Sequence, residues 1–314
     1  MVKNGYIKTV VGEIDPEKLG ITDAHNHVYI DKIPGVNNTS SFLLNDFEVI
    51  KNGLLKYKKV GGCSILDSQP WECGRNGNML HKLSKESGVL IIAVTGFHKR
   101  EYYPASSEIW RMNERQAADF FKDEIRIGLK ETIGTDISIK AGLIKVAFPG
   151  NLDEEYLRLM GAAVNAAIET GTSIMVHTEH GRGVELLTDY FESNNFPLSK
   201  VMLCHMDKRN DISLHRALAE KMICLEYDTF FKSKYEPEKN VWSLILQMIT
   251  EGYCEKIMIG SDMTPGYTLQ EADKNSGLDI FFQNVINKMS DFGIPGDAIL
   301  KMMSGNIKKF LTFD

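Results

Sequence analysis

The 314-residue chain lacks any apolar run approaching the ~20 residues that a membrane-spanning helix needs, so no membrane partner is expected. Its five cysteines (Cys63, Cys73, Cys204, Cys224 and Cys254) are odd in number and form no C-x-x-C pair. That argues against a disulfide framework and points to a reducing cytoplasm. The first residues hold no apolar stretch of the kind a secretory leader carries, which points the same way. A basic balance is also missing. The net charge is -6 and the lysines and arginines are interspersed with acids, whereas nucleic-acid binding needs clustered cations, so no nucleic-acid partner is expected. Nor is there a linker, a low-complexity tract or a repeat, so residues 1–314 read as one domain.

What is present is an alternation. Nearly continuous apolar runs recur at 63–67, 89–96, 143–148, 173–177, 200–205, 223–228 and 256–262, as expected for parallel strands covered on both faces. A more polar segment, 20–28, completes a set of eight. Segments of helical spacing lie between them. One at 153–170 has acids in its first turn and stops at Gly171. Another at 211–221 follows the N-cap candidate Asp211, and a third at 237–251 is closed by Gly252. Eight strand–helix units predict a (β/α)8 TIM barrel, with residues 1–18 plugging its bottom and one or two closing helices after Gly293. An open doubly wound sheet fits less well, because no Gly-rich phosphate loop follows the first strand.

Chemistry gathers at the strand tails. The first strand ends His25-Asn26-His27, and residues two apart in a strand share a face, so both imidazoles reach one ion. The fifth ends at His177, the sixth at His205 and the eighth at Asp262. The fourth carries Lys145 inside an apolar run. A lysine there must be paired, must snorkel or must be chemically altered. Reaction with carbon dioxide would convert it to a carbamate able to bridge two metals. Catalytic groups of such barrels sit at the C-terminal ends of the strands, and all six residues fall there.

With these residues in view, the chain resembles the phosphotriesterase family of the amidohydrolase superfamily almost end to end. The resemblance is carried by Gly20-Ile-Thr-Asp-Ala-His-Asn-His27, Gly74-Arg75, Ser87-Gly-Val89, Thr95-Gly-Phe97, Ile144-Lys-Val146, His177, His205-Met-Asp207 and Ser261-Asp262. It implies that His25, His27 and Asp262 hold a buried metal, that His177 and His205 hold an exposed one, and that a carboxylated Lys145 bridges them. One departure is Asn26, which stands where the family usually has Glu.

The resemblance implies a binuclear hydrolase working through a hydroxide shared by two divalent ions, with Asp262 as proton carrier. Zinc suits histidine and carboxylate ligands, and manganese, cobalt and iron are alternatives. Lactones, sugar lactones among them, are the expected substrates, with side activity on phosphate triesters. An amidase or phosphoesterase on the same site is the alternative, and a non-catalytic metal-retaining binding protein a second one. Relatives are often dimers, so a homodimer is expected. Substrate contacts are sought in the loops after strands. The candidates are His98, Tyr102 and Tyr103, then Lys232 as an anion contact, and Tyr267. The segment after Asp262 lacks the basic residue expected for a phosphorylated lactone.

Overall fold

The computed structural model describes residues 5–36, 43–263 and 277–313. Two short antiparallel strands come first, β1 (Ile7–Thr9) and β2 (Gly12–Ile14). Eight parallel strands follow: β3 (Ile21–Asn26), β4 (Gly62–Asp67), β5 (Leu90–Gly96), β6 (Leu143–Phe148), β7 (Ile174–Thr178), β8 (Val201–Leu203), β9 (Cys224–Tyr227) and β10 (Ile257–Ile259). Each pairs with its neighbour in sequence from β3 to β10. The seam between β10 and β3 is drawn together just beyond β10. There the amides of Ser261 and Asp262 donate to the His25 carbonyl at 3.1 and 2.8 Å, and the Ser261 hydroxyl donates to Asp23 at 2.5 Å. The fold is the expected (β/α)8 barrel.

Strand alternation sorts the side chains. Inward-facing Ala24, Leu66, Ile92, Val94, Leu143, Met175, Met202 and Met258 form one buried cluster inside the barrel. Their outward neighbours, such as Ile65, Ile91, Ile144, Val176 and Leu225, pack against the surrounding helices. The helix Glu154–Thr170 is started by the Asp153 carboxylate, which accepts from the Tyr156 amide, and is stopped by Gly171 at φ 72°. Asp211 caps Ile212–Glu220 in the same way. The third expected helix begins later than its sequence suggests, at Val241, because residues 237–240 form a turn in which Trp242 N–H meets the Pro237 carbonyl. Among the described residues, no helix is long and apolar enough to cross a membrane.

The barrel bottom is closed from both ends of the chain. Ile7 and Leu19 join the interior cluster from one side, and Ile307, Phe310 and Leu311 from the other. The closing element is a helical run, Gly296–Leu300 and Asn306–Leu311, joined by a π turn over Lys301–Gly305. Bottom closure leaves the C-terminal rim as the open end.

Candidate active site

The alternation that buries Leu143, Met175 and Cys224 inside the barrel places Lys145, His177 and Glu226 two residues further along the same inner face. Lys145 has no exposed surface. Its Nζ lies 3.5 Å from His25 Nε2, which among the described residues is its one polar neighbour within hydrogen-bonding range. Gly96 allows this packing. A Cβ there would meet the Lys145 carbonyl oxygen at 1.9 Å, and the backbone takes φ 106°. Gly260 has a similar role, since a Cβ would strike Glu226 Oε1 at 2.2 Å and His25 Cβ at 2.7 Å.

His205 and Asp262 arrive differently. The sequence suggested strands running through both, but β8 stops at Leu203 and β10 at Ile259. His205 then takes φ 62° and Asp262 φ 38°, left-handed conformations that end strand pairing at the rim.

The six expected residues come together. Asp262 Oδ1 is 3.8 Å from His25 Nε2 and 3.6 Å from His27 Nε2, and Oδ2 is 3.9 Å from His205 Nδ1. His205 Nε2 faces His177 Nδ1 at 2.9 Å. Each outer ring nitrogen but one meets a carboxylate: His25 Nδ1 meets Glu226 at 3.2 Å, His177 Nε2 meets Glu179 at 3.0 Å, and His205 Nδ1 meets Asp228. Glu226 also accepts the His205 amide at 3.0 Å. His27 Nδ1 is buried without a partner among the described residues.

Electrostatics fix the protonation pattern. Burial, aided by the Lys145 charge, pushes His25 down to about 3. Burial likewise takes His27 to about 3 and His177 to about 4, and holds His205 well below its usual value. All four imidazoles are therefore neutral near pH 7, with one N–H each. His177 and His205 give theirs to Glu179 and Asp228, which leaves two bare lone pairs facing each other across 2.9 Å. Such a pair repels unless a cation lies with it. The donor set thus fits a metal. Ligand atoms of His25, His27 and Asp262 lie within 4.8 Å of one another, as do those of His25, His205, Glu226 and Asp228. Carboxylates on the outer nitrogens are the usual means of aiming metal-binding imidazoles.

Burial alone would raise Asp262, but the Lys232 charge opposes it and the carboxyl is held well below the usual range. Lys232 Nζ lies 3.5 Å from Asp262 Oδ2 and 3.5 Å from Asp228 Oδ1. Asp207, in the His205-Met-Asp207 motif, does not face the cluster's centre. Its Oδ2 accepts from the amides of Asp228 and Thr229 at 3.0 and 2.7 Å, which shapes the loop after β9.

A cavity of about 150 Å³ opens over this cluster, with His98, Tyr102, Gln69, Cys73, Lys208, Ile30 and Ile33 in its walls. The His98 ring lies 4.8 Å from the His177 ring, tilted by 50°, and its Nδ1 accepts the Lys99 amide at 2.7 Å, so its proton sits on Nε2. Tyr102 packs edge-on against His98. Tyr103 does not join them. It is buried under the loop, where its hydroxyl accepts the His98 amide and its ring packs on Trp110. Lys232 sits beside Asp262 rather than in the cavity wall. Tyr267 lies outside the described residues. Asn26 is buried, and its Oδ1 accepts from the amides of His27 and Met263, so it ties the end of β3 to the segment after β10.

Sequence reasoning passed over Glu179, Lys208, Glu226 and Asp228. The period-two run Cys224-Leu-Glu226-Tyr-Asp228 held a signal for the last pair, because an inward Cys224 forces both acids inward.

Comparison with known proteins follows the same lines. A sequence model of the Phosphotriesterase family matches residues 5–311. The chain is 25% identical to a phospho-furanose lactonase of Mycoplasmopsis synoviae (strain 53), over 100% of this chain and 93% of that one. It is 27% identical to an N-acetyltaurine hydrolase of Danio rerio, over 98% of each. Among solved structures, an amidohydrolase from Mycoplasma synoviae superposes with a TM-score of 0.91 at 25% identity, covering 100% of this chain and 93% of that one. A lactonase from Listeria monocytogenes has the same fold, with a TM-score of 0.89 at 24% identity, covering 98% and 99%.

Proposed function

The chain belongs to the phosphotriesterase family of hydrolases, and from that premise we propose that it opens lactones, sugar lactones foremost, at a two-metal centre. The opposed bare nitrogens of His177 and His205 carry this reading. His25, His27 and Asp262 would hold one ion, His177 and His205 the other, and a carboxylated Lys145 both, with zinc the metal best matched to such donors. Ions bound there would polarise the substrate carbonyl and lower the pKa of water.

The chain's own groups do the rest. Asp262 is ionised and only partly exposed. Its Oδ1 faces His25 and His27, and its Oδ2 faces Lys232, so it is placed to take a proton and return it to the leaving oxygen. His98 presents an Nε2–H donor beside His177, suited to a substrate oxygen, and Tyr102 walls the same side. Lys208, in the cavity wall, gives that rim a positive face for a substrate phosphate or carboxylate, in keeping with the phospho-furanose lactonase among the relatives.

The test is a substrate panel on zinc-reconstituted protein: furanose lactones with and without a phosphate, N-acyl taurines and phosphate triesters. Lactone opening should dominate. Cleavage of the amides alone, as the resemblance to N-acetyltaurine hydrolase would allow, would replace lactonase with amidase. Asp262→Asn should keep much of its metal yet lose turnover on whichever substrate is active. Unchanged turnover would remove Asp262 as the proton carrier.

A further inference from the structure

Three of the four clustered imidazoles lean on carboxylates, but the three carboxylates differ. Glu226 and Asp228, behind His25 and His205, have no exposed surface. Glu179, behind His177, is 31% exposed and is shared. Its Oε1 lies 3.0 Å from His177 Nε2 and 3.0 Å from Lys99 Nζ. Glu179 follows β7 directly, two residues past His177, which puts the two side chains on one side of the chain.

Lys99 belongs to the loop that walls the cavity. Besides Glu179 it pairs with Glu101 at 2.9 Å and lies 5.2 Å from the centroid of the Tyr102 ring. The residue before it, His98, packs against the His177 ring itself, with the centroids 4.8 Å apart and the planes tilted by 50°. One loop therefore meets His177 twice, at the ring through His98 and at the outer nitrogen through Lys99 and Glu179.

We infer that Glu179 is a positioning residue that presents His177 Nδ1 to the centre, and that its bridge to Lys99 couples the metal held by His177 and His205 to the loop carrying His98 and Tyr102. A single carboxylate oxygen that accepts from both partners transmits a displacement of one to the other. Loss of the loop contact leaves the Glu179–His177 bond less constrained, and loss of Glu179 frees the imidazole to rotate or to change tautomer. Asp228 also meets lysines, Lys232 at 3.5 Å and Lys208 at 3.8 Å, but through Oδ1 rather than the Oδ2 that faces His205, so Glu179 differs in sharing one oxygen between an imidazole and a loop lysine. The inference rests on the two-metal reading above.

Competition with a chromogenic chelator on the zinc-loaded chain separates the two claims, since it reads affinity per equivalent of metal without turnover. Wild type should hold two tight equivalents. Glu179→Ala should weaken one of them by about 10- to 100-fold, the usual cost of removing such a partner, and leave the other unchanged. Glu179→Gln keeps an oxygen that can accept from His177 and should recover most of that loss. Lys99→Met should weaken the same equivalent about two- to tenfold in the wild-type background and have no effect when combined with Glu179→Ala, which removes the shared oxygen, the non-additivity expected of coupled neighbours. Two equivalents of wild-type affinity in Glu179→Ala would overturn the positioning role. An equal Lys99→Met effect in both backgrounds, or none in either, would overturn the coupling. Fewer than two equivalents in the wild type would instead overturn the two-metal reading itself.

Discussion

A primary amine on the inner face of β6, with no exposed surface and no carboxylate within 4.0 Å among the described residues, is costly to keep as an ammonium. Its neighbours sharpen the problem, because the His25 nitrogen 3.5 Å away belongs to an imidazole that burial and the lysine charge keep neutral. Reaction with carbon dioxide removes the cation and supplies two oxygens among nitrogen donors that already converge. Lys145→Ala should therefore lose metal and hydrolysis together, and hydrolysis should fall by more than the about 10- to 100-fold that loss of an outer partner costs. Metal analysis of the purified variant checks this. Two tightly bound equivalents in Lys145→Ala would rule out the carbamate bridge.

At the scale of elements, Arg75 joins the loop after β4 to β5 and to the helix Glu114–Arg126. All five of its N–H donors are used: Nε and Nη2 on Glu131 at 2.9 and 2.7 Å, Nη1 and Nη2 on Glu124 at 2.9 and 2.5 Å, and Nη1 on the Val94 carbonyl at 2.7 Å. Thr95 adds its hydroxyl to Glu124 at 2.6 Å. Arg75→Met would strand buried Glu124 and should cost about 3–5 kcal/mol, read as a lower urea midpoint at unchanged slope. Adding Glu124→Leu should restore part of it. A loss below about 1 kcal/mol would mean that water reaches Glu124 and that the pair does not hold the helix. This network marks the limit of sequence reading. The strands were legible because their apolar runs are short and continuous, and three metal-ligand candidates, His177, His205 and Asp262, because they end such runs. The acids that meet the clustered histidines were not legible. Glu124 and Glu131 lie 49 and 56 residues from Arg75, and an acid on a strand, such as Glu226, reads as exposed until the inner register is known. His205 and Asp262 were found although their strands stop short of them, because residue type survived the error in element boundaries.

For the whole molecule, the barrel is closed below by its two ends meeting. Tyr6 pairs with Phe313 through the backbone, and their rings stack at 5.3 Å. Lys8 of β1 lies in this closure, 6% exposed, with its ammonium 2.8 Å from the Ile125 carbonyl and 4.2 Å from the centroid of the Phe313 ring. Burial, reinforced by Lys140, lowers its pKa to about 8, against ~10.4 for an unfolded lysine. Below about pH 8 the amine is charged in both states, and the folded chain bears the full cost of burying it. Between about pH 8 and ~10.4 the unfolded chain binds more protons than the folded one, so stability contributed by this group rises with pH. Tyrosines and cysteines titrate in the same window, so the quantity to follow is the difference between wild type and Lys8→Met in denaturant unfolding. That difference should shift toward the wild type from about pH 8 to ~10.4 and be flat below. Parallel curves across the window would mean that the ends meet loosely enough for water to solvate Lys8. In that case the apolar contacts of Ile7, Phe310 and Leu311, rather than a sealed polar bridge, would be what closes the barrel beneath the catalytic rim.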